Sequence, residues 1–278
     1  MKTAMLMALM TMLLMAIGDY FGGLQGMTIM LFFGVAMNFF TYWNSDKMVL
    51  AHYNAQEVDA RTAPRLYAIV KHLADRAKLP MPKVYIIDSP VPNAFATGRN
   101  PEHAAVAVNT ALADLLDEDE LAGVLAHELS HVKHRDILIS TVAASMAGAI
   151  STIAQWGMFL GGGRDENGES RNPFATILVM ILAPLAAALI QMAVSRSREY
   201  MADKSGGELC GDPNALADAL LKIEAFARRR VMPGATEATA HMFIINPFSG
   251  VNMRQLFSTH PPTEERVRLL REQARAMR

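Results

Sequence analysis

The sequence predicts a mainly α-helical integral membrane protein with a small β-sheet and about four transmembrane helices. Charged residues make up only 19% of its 278 residues, and the mean hydropathy is positive at +0.16, which is unusual for a fully soluble protein. Long apolar runs alternate with polar segments of helical periodicity. We therefore divide the chain into a transmembrane hairpin (1–43), a soluble part with a small sheet (44–136), a second pair of apolar helices (137–194) and a helical C-terminal part (195–278).

The charge balance and the cysteine content narrow the class of protein further. A net charge of −1 gives no general attraction to nucleic acid, so we expect no nucleic-acid partner. The single cysteine, Cys210, rules out an internal disulfide and fits a reducing compartment. The partner that the composition predicts is the lipid bilayer.

The first part contains two apolar runs, Ala4–Ile17 and Met27–Trp43, separated by a glycine-rich gap. Each run is a little short of the ~20 residues that span a bilayer, but tilt, local thinning and flanking aromatic residues can make up that difference. The alternative is a signal peptide with Lys2 in its n-region and a cleavage site at Ala16–Gly18. The second apolar run, which follows at once, favours the hairpin.

The second part is predicted to contain one amphipathic helix and a small sheet. A helix should begin near Pro64 and turn one apolar face inward, formed by Leu66, Ile69, Val70 and Leu73. Lys83–Ile87 alternates and is rich in β-branched residues, which predicts a strand. Asn93–Thr97 and Ala104–Val108 flank a turn at Gly98–Pro101, which predicts a hairpin of two further strands.

The third part contains the apolar runs 137–160 and 173–194, with a polar loop at 161–172. These runs could cross the bilayer or form a helical hairpin buried against protein. Both reach the length of a span, which favours crossing. The remaining residues, 195–278, are predicted to be helical.

The basic residues that border the apolar runs predict one orientation. They lie on what would be a single side of the membrane: Lys2, Lys47, Lys133, Arg135, Arg196 and Arg198. Because positive charges are enriched on the cytoplasmic side, we expect both termini and the helix around residue 127 to face the cytoplasm.

The sequence His127-Glu-Leu-Ser-His131 has the pattern H-E-x-x-H within a predicted helix. Asp117 can cap that helix, with Glu120 completing a capping box. Residues four apart share a helix face, so His127 and His131 can hold one zinc ion. Glu128 lies beside the first ligand, where its carboxylate can act as a base on a water molecule without binding the metal.

A hydrolytic zinc site needs a third protein ligand, and the segment Arg198–Asp203 offers one. Glu199 and Asp203 are four apart and share a helix face. Glu199 can complete a set of two histidines and one glutamate with an open fourth position. Asp203 can accept the second ring N–H of a ligand histidine, for which we expect His127, and fix its orientation.

Four motifs in this order resemble the HtpX family of bacterial membrane zinc metalloproteases, relatives of the CAAX-prenyl endopeptidases. Along the chain they are Pro92–Gly98, His127–His131, Ser195–Asp203 after two apolar helices, and Phe257–Arg266. The resemblance runs from residue 1 to the C-terminus. It implies a gluzincin-type catalytic core and a role in the quality control of membrane proteins during heat or envelope stress.

The resemblance also implies roles for residues that spacing alone does not assign. His260 corresponds to a histidine thought to stabilise the transition state, and Arg266 to the arginine six residues later. A polarising side chain near zinc would stabilise the oxyanion of a tetrahedral intermediate. One segment resembles the edge strand that pairs with extended substrate, and its residues are Asn93, Ala94, Phe95, Ala96 and Thr97.

The function that we predict is zinc-dependent hydrolysis of peptide bonds in misfolded or damaged membrane proteins. The enzyme would be a multi-pass endopeptidase of the bacterial inner membrane, with its active site facing the cytoplasm and Zn²⁺ as its cofactor. One alternative is a membrane chaperone with a structural zinc ion, but structural sites usually have four protein ligands, often cysteines. A second alternative is a prenyl-peptide protease, which only the substrate preference would separate.

Overall fold

The structure is a computed structural model that describes residues 2–142, 196–229 and 261–277. The described residues form a mainly helical protein with one small mixed sheet. Most of the second predicted apolar helix pair, the predicted loop at 161–172 and His260 lie outside the described residues.

The chain begins with a long helical hairpin, α1 (Lys2–His52), whose two arms reverse direction at Gly23. Gly23 has φ 55° and ψ −149°, a conformation that glycine adopts without steric cost. Asn38 Nδ2 on the second arm donates to Met7 O at 3.0 Å and to Thr11 Oγ1 at 2.8 Å on the first arm, so the arms are antiparallel neighbours. Both arms are long and apolar enough to cross a membrane.

The sheet has four strands: β1 (Gln56–Val58), β2 (Lys83–Ile87), β3 (Ala94–Gly98) and β4 (Ala104–Asn109). Their spatial order is β1-β2-β4-β3, with β2 and β4 parallel and the other two pairs antiparallel. The three predicted strands are present within one residue of the predicted bounds. Strand β1 was not predicted, because its three largely solvent-exposed residues carry no apolar alternation.

The strand order places β3 at one edge of the sheet, beside the helices that follow.

The described helices after α1 are α2 (Pro64–Ala77), α3 (Thr110–Leu115), α4 (Glu118–Lys133), α5 (Arg196–Cys210), α6 (Pro213–Arg229) and α7 (Thr263–Ala276). The predicted capping box begins α4: Glu120 N donates to Asp117 Oδ1 at 2.9 Å, and Asp117 N donates to Glu120 Oε2 at 3.0 Å. Residues 137–142 are again helical.

Both faces of the sheet are covered, and the two covers are different. Val106 and Val108 of β4 face the main core, which α2, α4 and α6 build with the sheet. Ala105 and Ala107 face the opposite side, where Val49 near the end of α1 packs with them. Because successive residues of a strand point to opposite faces, every residue of β4 is buried. The membrane hairpin is thus docked directly on the sheet that carries the edge strand.

Candidate metal centre

Helix α4 carries the H-E-x-x-H motif through the middle of the core. Leu125 and Leu129, on either side of His127, are fully buried, so the helix is fixed in rotation. Helix α5 approaches α4 closely at Gly206, where a Cβ would lie only 2.9 Å from both Cα and N of His127. This close approach brings the side chains of Glu199 and Asp203 up to the two histidines.

The side chains of His127, His131 and Glu199 converge, with their potential ligand atoms all within 4.8 Å of one another. The Nε2 atoms of the two histidines are 3.3 Å apart. Glu199 Oε2 lies 3.7 Å from His127 Nε2, and Glu199 Oε1 lies 3.6 Å from His131 Nε2. Two imidazole nitrogens and one carboxylate form the ligand set of a catalytic zinc site, so the residues present fit the predicted metal.

The other ring nitrogen of each histidine faces a carboxylate. His127 Nδ1 lies 2.9 Å from Asp203 Oδ1, the pairing that the sequence suggested. His131 Nδ1 lies 3.2 Å and 3.3 Å from the two carboxylate oxygens of Asp136. Such carboxylates orient a ligand histidine and fix which nitrogen carries the proton.

The contact between Asp136 and His131 was not predicted from the sequence. The residue before it, Arg135, has φ 58°, which turns the chain sharply after α4, and Asp136 N donates to His131 O at 3.2 Å. This turn aims the carboxylate back at His131. The sequence does show an acidic residue just beyond the end of α4, five residues after His131. Only the turn decides where the Asp136 carboxylate points.

Arg266 on α7 holds Asp203 in a bidentate ion pair. Its Nε and one terminal nitrogen each donate to a different oxygen of Asp203 at 2.7 Å, and Arg266 is only 1% exposed. A buried chain of contacts therefore runs from Arg266 through Asp203 to His127. His260, six residues earlier, lies outside the described residues.

Burial and these charges shift the acidities of the site. Burial raises the pKa of Glu128 above its ordinary value. Burial opposes ionisation of Asp203 as well, but Arg266 and His127 outweigh it and lower the pKa of Asp203 to about 2. Burial also opposes the charge on His131, yet Asp136 and Glu199 raise the pKa of His131 to about 9. The metal-free site therefore favours a protonated His131 and a Glu128 that readily takes up a proton.

The predicted substrate strand lies against the predicted base. Ala96 N on β3 donates to Glu128 Oε2 at 2.9 Å. Asn93 directly precedes β3, and its carbonyl oxygen accepts from Asn109 N at 2.9 Å. This bond anchors the N-terminal end of β3 to β4. The arrangement puts a sheet edge, a buried carboxylate and a cluster of three potential metal ligands side by side, which is chemistry that can support peptide hydrolysis.

Comparison with known proteins agrees with this chemistry. Residues 60–274 match the model of peptidase family M48. Proteins named "Protease HtpX homolog" from Burkholderia thailandensis, Burkholderia mallei and Burkholderia pseudomallei are 60% identical over 279 aligned residues, covering all of this chain and 98% of theirs.

Among solved structures, the crystal structure of S. mikatae Ste24p superposes with a TM-score of 0.50 at 20% identity. The match covers 87% of this chain but only 57% of that chain, so it supports the fold and nothing more. The domain match, the relatives and the converging His127, His131 and Glu199 identify a membrane metalloprotease. The chain belongs to peptidase family M48.

Proposed function

We propose that this protein is a membrane-anchored zinc endopeptidase that hydrolyses misfolded or damaged membrane proteins. Its place would be the bacterial inner membrane, with several spans and an active site that faces the cytoplasm. The observation that carries the proposal is the convergence of His127, His131 and Glu199 with Glu128 beside them. The relatives named as HtpX protease homologues support the same activity.

We assign His127, His131 and Glu199 as the three zinc ligands. When bound there, zinc would polarise the scissile carbonyl and make a water molecule acidic enough to attack it near neutral pH. Asp203 and Asp136 would hold the two imidazoles in the ligand orientation, since each carboxylate lies 2.9–3.3 Å from a second ring nitrogen. Three protein ligands leave a position open, which favours catalysis over a structural zinc site.

We assign Glu128 as the general base that takes a proton from the attacking water and then delivers it to the leaving amine. Burial raises the pKa of Glu128, and a carboxylate with a raised pKa exchanges protons more readily near neutral pH. The backbone N–H of Ala96 holds one carboxylate oxygen at 2.9 Å. The other oxygen can therefore face the water.

The resemblance implies that His260 and Arg266 stabilise the oxyanion. Two nitrogens of Arg266 donate to Asp203, so the arginine acts on the site through Asp203 and His127. We therefore propose that Arg266 positions His127 and that the oxyanion role belongs to His260. Substrate would pair with the edge formed by the segment from Asn93 to Thr97.

The decisive experiment replaces Glu128 with glutamine. Purified Glu128→Gln protein should bind zinc in the same proportion as the wild type, because glutamine keeps the size of the side chain and is not a ligand. Cleavage of an unfolded protein such as casein should fall by at least about a hundredfold, since the base is lost. Undiminished cleavage by this variant would contradict the role of Glu128.

The topology can be tested independently of the chemistry. With Cys210 replaced by serine, single cysteines placed in the 161–172 loop should react with an impermeant reagent added from the periplasmic side of intact cells. That result supports two further spans on either side of the loop. Labelling that requires the cytoplasmic side to be opened would reject the four-span topology.

A further inference from the structure

The edge of β3 offers its outward-facing backbone groups next to the metal cluster. Asn109 N donates to Asn93 O, so the alternate residues 93, 95 and 97 bond to β4, and residues 94, 96 and 98 point their backbone groups outward. Ala96 is the only residue of β3 that is not fully buried, and its N–H meets Glu128. A substrate strand at this edge would therefore pass the base at Ala96.

Two aromatic contacts fix the direction of β3 relative to the second arm of α1. Phe95, near the start of β3, packs on Tyr53 with ring centres 5.6 Å apart. Arg99, just beyond the strand's end, lies with Cζ 4.6 Å from the centre of the Trp43 ring. The ten residue steps from 43 to 53 rise about 15 Å along a helix, and the four steps from 95 to 99 extend about 13 Å along a strand. Strand β3 and the end of α1 therefore run antiparallel to each other over about the same length.

Trp43 marks the membrane boundary of the second arm. The apolar run ends there, and Asn44-Ser-Asp-Lys47 follows. Trp43 is 44% exposed, and tryptophan is enriched at the membrane–water interface. Because Arg99 contacts this residue, the C-terminal end of β3 points towards the bilayer and its N-terminal end points away.

The edge is closed at its membrane end. Thr141 Oγ1, in the helical residues 137–142, accepts from Gly98 N at 3.3 Å and contacts Thr97 Oγ1 at 3.1 Å. A substrate can therefore pair with Ala94 and with the carbonyl of Ala96, whose N–H is held by Glu128, and must leave the sheet before Gly98. From that point a chain continuing towards the bilayer would pass alongside residues 137–142.

We propose that this protease prefers the polypeptide that directly follows a membrane span over the polypeptide that directly precedes one. The inference rests on the proposed function. A substrate strand that adds to the edge in the antiparallel sense, the more stable pairing, runs opposite to β3. Its N-terminal side then faces the bilayer and its C-terminal side faces away. A short stretch of chain can therefore connect the cleaved bond to a membrane span only when the span lies N-terminal to that bond.

The test uses the full-length protein in lipid vesicles with two model substrates. Each contains the same apolar span and the same cleavable peptide, joined by a tether of about six extended residues. That tether covers the ~10 Å along the strand from Arg99, which contacts Trp43, to Ala96 and a detour past residues 137–142. In one substrate the peptide follows the span, and in the other it precedes the span. Both present the peptide on the side of the bilayer where α1 ends.

We expect the substrate with the peptide after the span to be cut about tenfold faster, because only that geometry allows the span and the edge strand to be engaged together. A tether of about 25 flexible residues should abolish the preference, since such a chain can reverse its direction. Equal rates with the short tether, or faster cleavage of the peptide that precedes the span, would overturn the inference.

Two controls separate this inference from the proposed function. Glu128→Gln protein should cut neither substrate, which shows that the measured cleavage belongs to the assigned site. Casein, which has no span, should be cut by the wild type in the same vesicles. Cleavage of casein with equal rates on the two tethered substrates rejects the preference alone, whereas failure to cut casein and both substrates rejects the proposed function.

Discussion

At the scale of single residues, His127 and His131 each face a carboxylate outside the candidate ligand set. Asp203 and Asp136 each face the second nitrogen of one histidine, and Arg266 in turn holds Asp203. A buried ion pair of this kind contributes little net stability when intact, but removing one partner leaves an uncompensated buried charge. These residues should therefore link the strength of the proposed metal site to the stability of the fold.

Replacing Arg266 with alanine should destabilise the protein and weaken zinc binding together. The buried Asp203 carboxylate would lose its ion-pair partner, at a cost of about 3–5 kcal/mol in the free energy of unfolding. Denaturation in detergent and a zinc competition assay measure the two effects. Arg268→Ala, two residues away, is the matched control, because its pairs with Glu265 and Glu272 are exposed and its loss should change neither quantity. A normal zinc affinity in Arg266→Ala would contradict the positioning role.

Zinc binding should release a proton near neutral pH. In the metal-free site the pKa of His131 is about 9, so the imidazole is protonated at pH 7, whereas a zinc ligand must be neutral. Zinc affinity should therefore rise as pH increases towards 9, by about tenfold per pH unit for this one proton. Calorimetry in buffers with different ionisation enthalpies counts the protons released.

Asp136→Asn provides the control for that measurement. The asparagine side chain would keep the shape of the aspartate but remove the charge that raises the pKa of His131. The variant should release fewer protons at pH 7 and show a shallower dependence of zinc affinity on pH. A wild-type protein that binds zinc at pH 7 without releasing a proton would contradict the assigned protonation state.

At the scale of elements, the site depends on how closely α4 and α5 approach. The sequence predicted both helices and the faces that carry His127, His131, Glu199 and Asp203, because helical spacing and a capping box are local signals. It did not predict the role of Gly206, because a glycine that allows two helices to touch looks like any other glycine within a helix. The contact exists only once both helices are packed.

Gly206→Ala should separate the two helices and weaken the metal site. The added Cβ would lie 2.9 Å from backbone atoms of His127, so the backbones must move apart, at a cost of about 1–3 kcal/mol in the free energy of unfolding. Zinc affinity should fall in the same variant, because Glu199 moves with α5. Gly22→Ala, where an added Cβ meets nothing within 4 Å, should leave both quantities unchanged. Wild-type zinc affinity in Gly206→Ala would show that the close approach does not set the site.

At the scale of the whole molecule, the membrane hairpin and the catalytic part form one structure. The second candidate span covers 31 residues, about 46 Å of helix, whereas the hydrocarbon core is only about 30 Å thick. The excess length carries Val49 and Leu50 onto the sheet. The end of the hairpin and the sheet that carries the edge strand are therefore packed directly against each other.

Removing the metal should destabilise the whole protein, because the proposed ligands would join α4 to α5 across 67 intervening residues of sequence from His131 to Glu199. At a free zinc concentration of about a thousand times the dissociation constant, bound zinc adds about 4 kcal/mol to the free energy of unfolding. Chelator-treated protein should melt at a lower temperature and recover when zinc, but not magnesium, is added. The melting temperature of His127→Ala should be the same with and without zinc. An increase of that temperature on adding zinc would place the stabilising metal elsewhere.

The sequence by itself determined the features whose signals are local. The helical hairpin, three of the four strands within one residue, the capped H-E-x-x-H helix and the candidate ligand set all follow from apolar runs, periodicity, turn residues and i to i+4 spacing. Tertiary structure alone decided the contacts between distant segments: Asp136 on His131, Arg266 on Asp203, Glu128 on Ala96, and the direction of β3 relative to the second arm of α1. The physical reason is that side-chain spacing fixes which face of an element a residue occupies, whereas packing of the whole chain fixes what that face meets.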